Sequence, residues 1–132
     1  MRTIMSTAVL WGLMGSATAF AADAPILSTS GKFEEQTGEA LFNQVCQGCH
    51  MAKGEGAKGA GFYPALASNP KLAAAAYPAS VVMNGLHGMP SCASKLSDEQ
   101  IADVVNYVRS NFGNQYADKL SAADVKPFRI TP

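Results

Sequence analysis

The chain has 132 residues, 48% hydrophobic and 15% charged, with ten basic and ten acidic side chains and a formal net charge of zero. That balance leaves no basic tract for nucleic acid or anionic lipid, and the length suits one domain. A chain this short gains from an internal staple, because its side chains alone bury limited apolar surface.

Residues 1–21 open with Met1 and Arg2, run apolar from Ile4 to Met14, and close on Gly15-Ser16-Ala17-Thr18-Ala19-Phe20-Ala21. The weakly basic start, short apolar core and small-residue exit predict a secretory signal peptide, cut before Ala22 or, alternatively, after Ala19. The apolar run is too short for a permanent bilayer span, and an uncleaved amphipathic anchor is the competing reading. Without this leader, nine basic side chains face ten acidic ones. Docking is then expected to use an apolar patch ringed by local charge rather than a field of one sign.

Residues 22–36 show no sustained periodicity, and Pro25, Ser28, Ser30 and Gly31 predict an extended arm. A helix is expected from Thr37, whose hydroxyl suits the free amides, with Glu39 at the positive end and Leu41, Phe42 and Val45 as one apolar stripe. Gly38 either permits close approach of another helix or is an entropic cost near the helix start.

The stripe leads into Cys46-Gln47-Gly48-Cys49-His50. Two thiols in this register suit thioethers to the vinyl groups of one porphyrin, and the adjoining His50 suits a proximal iron ligand. A thioredoxin-like pair expects a strand-to-helix setting and has no need of the histidine. Structural zinc needs a second ligand pair at metal-like spacing, and His87 with Cys92 is a poor one. One covalently bound haem c is therefore the expected cofactor.

Four glycines between residues 54 and 61 lack the Gly-Lys-Ser/Thr of a phosphate loop. They predict a surface loop at the haem edge, after which residues 62–66 return apolar material to the pocket. Residues 70–77 read as an alanine-rich helical piece ended by Pro78, and residues 80–84 as another short turn before Gly85.

A sixth iron ligand separates an electron carrier from a haem that binds oxygen or peroxide. Met83, His87 and Met89 are the candidates beyond the haem motif. Met89 is favoured because Gly88 permits tight approach and Pro90 fixes the chain after it. A thioether is a soft donor that raises the potential relative to a second histidine. Met83 stays open as a rival, and His87 reads as a surface or hydrogen-bonding residue.

The last strong helix has Ser97 as cap, Gln100 at the reciprocal position, Leu96 and Ile101 as a staple, and Asp98 and Glu99 in the first turn. Ile101, Val104, Val105, Val108 and Phe112 form its apolar set, with Tyr107 beside them. Arg109 suits the negative end and Gly113 the stop. Three β-branched valines lower intrinsic propensity, so burial against the Leu41 and Phe42 helix must hold it. In the tail, residues 115–132, Ser121 and Asp124 suit one brief turn.

Residues 37–114 resemble a class I cytochrome c, in particular the monohaem domains and subunits of bacterial periplasmic alcohol, aldehyde and related dehydrogenases. The resemblance rests on Gly38-Glu39-Ala40-Leu41-Phe42, the haem motif, Pro64-Ala65-Leu66-Ala67-Ser68-Asn69-Pro70, Asn84-Gly85-Leu86-His87-Gly88-Met89-Pro90, and the run from Leu96 to Arg109. It implies an all-α fold wrapped around one haem, with Met89 as the distal ligand. It also implies that the Pro64 carbonyl receives the ring proton of His50, and that the Gly38 and Phe42 helix crosses the last helix near Tyr107.

One departure stands out: where family members often carry a bulky aromatic after Gly-Met-Pro, this chain has Ser91-Cys92-Ala93. Cys92 is left unpaired once the haem takes Cys46 and Cys49. It reads as buried and inert, with an intermolecular disulfide as the other possibility.

The expected function is periplasmic electron transfer with no bond-making chemistry of its own, since no carboxylate pair, serine triad or cofactor loop is evident. The expected partners are a membrane-associated dehydrogenase and a downstream cytochrome or terminal oxidase. A soluble shuttle is the alternative, and a haem enzyme or gas-sensing module with a displaceable distal ligand is a further one.

Overall fold

Burial of the valine-rich stripe organises the chain. In the computed structural model, residues 31–59 and 61–130 are described; the leader and most of the arm lie outside them. The elements in order are α1 (Gly38–Leu41), a π-helical turn (Phe42–Cys46), α2 (Gln47–His50), β1 (Ala57–Lys58), β2 (Phe62–Tyr63), a 3-10 turn (Pro70–Leu72), α3 (Ala76–Asn84), α4 (Asp98–Ser110), α5 (Ala122–Val125) and a 3-10 turn (Lys126–Phe128). The two short strands pair antiparallel, Ala57 with Tyr63 and Lys58 with Phe62. The fold is otherwise helical, as expected.

Helix α4 starts on a complete capping box: Ser97 Oγ accepts from Gln100 N at 3.1 Å, and Gln100 Oε1 accepts from Ser97 N at 2.9 Å. Its Ile101, Val104 and Val105 are nearly or fully buried with Leu41 and Phe42 of the first helix. Burying side chains of this size contributes roughly 1.5–3 kcal/mol each, enough to offset the weak helix propensity of valine. Gly38 makes the crossing possible, because a Cβ there would lie 2.2 Å from the Asp103 carbonyl and 2.7 Å from Tyr107 Cβ. Phe42, Tyr107 and Phe112 close the crossing as an aromatic trio with centroids 4.8–5.8 Å apart.

The first helix does not run as one α-helical stripe. Thr37 Oγ1 caps Ala40 N at 3.2 Å, but from Phe42 the chain takes a wider turn, with Gln47 N donating to Phe42 O. The extra residue in that turn rotates the later positions relative to Leu41 and Phe42, and Val45 is only half-buried.

Pro78 lies inside the first turn of α3 and does not end a helix. Its missing N–H costs nothing there, because first-turn amides have no intrahelical partner. The expected turn at residues 80–84 is the continuation of α3, closed by Gly85.

The chain after Asn114 folds back over α4. Ser121 and Asp124 form a second capping box that starts α5, and Val125 is fully buried. Arg109 does more than face a helix end. It is fully buried and donates to the carbonyls of Leu72 and Ala73 at 2.9 and 3.0 Å and to Asp118 Oδ1 at 2.7 Å. Its guanidinium holds the exposed Asp118 carboxyl below the usual carboxylate range, mainly through that hydrogen bond.

Candidate haem site

Cys46 ends the π-helical turn and Cys49 and His50 end α2, so the thiols three residues apart share a side and the imidazole follows at once. His50 is 8% exposed, Cys46 is half-buried and Cys49 is exposed. Met51, at φ 64°, ends the helix immediately after the imidazole.

The hairpin that follows returns the chain to His50. Gly56 N donates to the His50 carbonyl at 3.0 Å, strands β1 and β2 pair, and the residue after β2 is Pro64, whose carbonyl lies 3.0 Å from His50 Nδ1. A carbonyl only accepts, so Nδ1 carries a proton, and in the neutral ring the lone pair is then on Nε2. This partner fixes the ring and strengthens its donation to a metal. Gly56 has φ +67°, and a Cβ there would approach the Tyr63 carbonyl oxygen at 2.3 Å and the Pro64 carbonyl carbon at 2.8 Å. Glycine is therefore needed for the carbonyl to sit where it does. Phe62 and Tyr63 are exposed, and Leu66 is the residue of this stretch that packs on the core.

Burial, with Cys92 and Cys49 nearby, pushes the Cys46 thiol up to about 12. Thiol exchange calls for the opposite, a thiol whose pKa is lowered toward neutrality. Burial also raises Cys92.

The three distal candidates fall in different surroundings. Met83 is fully buried in the core between α3 and α4, whereas His87 is exposed with φ 52°. Met89 is half-buried on a tight loop in which Leu86 and Met89 exchange backbone hydrogen bonds of 2.9 and 3.0 Å. Ser91 Oγ donates to the Met83 carbonyl at 2.6 Å, and Cys92 N donates to the Val82 carbonyl at 3.0 Å. The loop is thus closed at its roots.

Protonated Nδ1, a free Nε2 lone pair and two adjacent thiols form a donor set that fits a covalently attached haem. The comparisons decide the family. The profile described as cytochrome c oxidase, cbb3-type, subunit III matches residues 33–108. The chain belongs to this family of c-type cytochromes. It is 34% identical to the cytochrome c subunit of a quinone alcohol dehydrogenase from Gluconacetobacter polyoxogenes, over 77% of this chain and 24% of that protein. It is 36% identical to a fructose dehydrogenase cytochrome subunit from Gluconobacter japonicus, over 70% and 22%. It is 30% identical to a gluconate 2-dehydrogenase cytochrome c subunit from Pantoea cypripedii, over 86% and 29%. The chain spans about a quarter of the length of these relatives.

As a member of this family, this cytochrome carries one covalently bound haem c and transfers electrons. Among the described residues, no helix is long and apolar enough to cross a membrane.

The pattern of alternate glycines suggested only a loop, so the sequence reading missed the part Gly56 plays in placing Pro64. It also missed Asn114, whose Nδ2 donates to the carbonyls of Leu66 and Val108, both at 2.9 Å, fastening the segment after Pro64 to α4. No local pattern marks either role.

Proposed function

We propose that this cytochrome takes electrons from a membrane-associated dehydrogenase and passes them to a downstream cytochrome or terminal oxidase. Cys46 and Cys49 tether the haem, while His50 and Met89 hold its iron. The 3.0 Å pairing of His50 Nδ1 with the Pro64 carbonyl carries the site assignment, because it leaves the imidazole in the tautomer an iron ligand needs. The haem supplies a one-electron ferric/ferrous couple. Pro64 keeps the ring oriented, and the closed loop at residues 85–90 limits how far the Met89 thioether strays, so little reorganisation accompanies transfer. The three relatives, all cytochrome subunits of dehydrogenases, support the partner.

Residues 1–21 act as the export signal in this proposal, and residues 37–114 as the haem domain. Cys92 is inert, in keeping with its burial.

The purified ferric protein is expected to show the near-infrared methionine–iron charge-transfer band. A high-spin spectrum in the intact protein would overturn the ligand set. Gentle purification from membranes, followed by mass analysis, is expected to bring down a dehydrogenase subunit; recovery only as a free monomer counts against that partner. Non-reducing electrophoresis of the same sample is expected to show no cross-link through Cys92.

A further inference from the structure

The C-terminal tail reaches both roots of the Met89 loop. On the α3 side, Asn84 Nδ2 donates to the Phe128 carbonyl at 3.1 Å. On the α4 side, Arg129 Nε donates to Asp98 Oδ1 at 2.8 Å, Nη2 donates to the Leu96 carbonyl at 3.1 Å, and Nη1 reaches the Ala93 carbonyl. Ala93 and Leu96 belong to the turn at residues 92–96, whose own bonds run from Lys95 N and Leu96 N to the Cys92 carbonyl. Asp98 opens α4. One guanidinium therefore ties the exit of the loop to the start of α4, and its neighbour Phe128 ties the tail to the end of α3.

We propose that Arg129 is a positioning residue for the distal ligand, holding the roots of the 85–90 loop together so that Met89 stays on the iron. The inference rests on the reading of Met89 as that ligand. The physical case is one of populations. A thioether competes with exogenous ligands for the sixth position, and the fraction of molecules with Met89 released sets the apparent affinity for such a ligand. Arg129 forms charge-assisted bonds to a carboxylate and two carbonyls, and its side chain and that of Asp98 are 32% and 24% exposed. That is sheltered enough for the cluster to exceed an open surface pair. Local hydrogen bonds close the loop at Val82 and Met83, and the tail adds a second tie across its base, from Asn84 at the end of α3 to Asp98 at the start of α4.

The test is imidazole binding to the ferric holoprotein, followed by visible absorbance together with the near-infrared band. R129A is expected to keep its covalent haem, to show a weaker band, and to bind imidazole about five- to twentyfold more tightly, while R129K, which keeps the charge but not three nitrogens set on three acceptors, recovers only part of the difference. D118A, which removes the carboxylate paired with Arg109 elsewhere in the tail, serves as the control for general loosening and is expected to leave imidazole affinity unchanged. Imidazole affinity in R129A within twofold of the parent protein, or an equal rise in D118A, overturns the clamp. Should R129A yield no haem protein, R129K and N84A carry the test, and the absence of a rise in both overturns it. M89A separates the two readings. If M89A keeps the band, the distal assignment fails and the clamp with it; if M89A loses the band while R129A binds imidazole as the parent does, only the clamp fails.

Discussion

The proximal and distal sides of the proposed haem site are built by different means. On the proximal side, Cys46, Cys49 and His50 share one continuous stretch of helical backbone, and their relative placement follows from residues per turn. One tertiary contact, the Pro64 carbonyl on His50 Nδ1, completes it. On the distal side, Met89 sits midway along a loop whose shape depends on Val82, Met83, Ser91 and Cys92 at its roots and on Asn84, Asp98 and the tail beyond them. Proximal geometry is local and covalent in origin, whereas distal geometry is cooperative. A weak ligand held by a cooperative scaffold is the one that responds first to perturbation.

The largest expected effect removes the proximal side altogether. In C46A/C49A no thioether can form, so haem staining after denaturing electrophoresis is expected to vanish, and with it much of the helical circular dichroism, because so short a chain leans on the porphyrin for core. Retention of covalent haem in that variant would show that the thiols are not the tether. M89A is expected to be smaller in reach. Haem stays covalently bound and helicity stays near that of the parent, while the near-infrared band disappears and imidazole binds without competition from the thioether. If M89A lost its haem as C46A/C49A does, the two sides of the site would not be separable.

The same contrast explains which features were readable from residues alone. The Ser97 and Gln100 box, the Thr37 cap and the α4 stripe from Ile101 to Val108 are local signals and appear as expected, whereas Phe112 lies beyond the helix end at Ser110, half-buried with φ 56°. Pro78 was misplaced because a proline that ends one helix and a proline inside the first turn of the next look alike until the helix start is known. The π-helical turn at Phe42–Cys46 has no sequence signature, and it shifts Val45 off the buried stripe. Arg109 reads as an ordinary charge near a helix end, and no sequence pattern singles out Arg129. Their partners lie 31–37 residues away for the most part, a separation no periodicity reveals. At the candidate site, the contiguous haem motif was legible outright, whereas Pro64 entered through resemblance. Met83 and Met89 differ by burial, which only tertiary packing sets.

Two glycines allow the contrast to be drawn most finely. Gly56 on the proximal side and Gly85 on the distal side have φ +67° and +78°, and a Cβ at Gly85 would lie 2.6 Å from the Met89 carbonyl oxygen and 2.9 Å from Ser91 N. G85A should therefore displace the backbone that presents Met89, raising imidazole affinity severalfold. G56A has a different target. Its methyl would press on the Tyr63 and Pro64 carbonyl groups and loosen the bond to His50 Nδ1, making the imidazole a poorer donor. A poorer donor stabilises the ferric state less than a good one, so the potential should rise. If the bond stabilises the ferric state over the ferrous by about 0.5–1 kcal/mol, its loss raises the one-electron potential by about 20–40 mV. Equilibrium redox titration of G56A beside the parent protein checks the shift, with imidazole affinity expected to stay unchanged. A fall in potential, or a rise in imidazole affinity matching that of G85A, would mean that the hairpin at Ala57–Lys58 and Phe62–Tyr63 acts on the whole haem pocket rather than on His50.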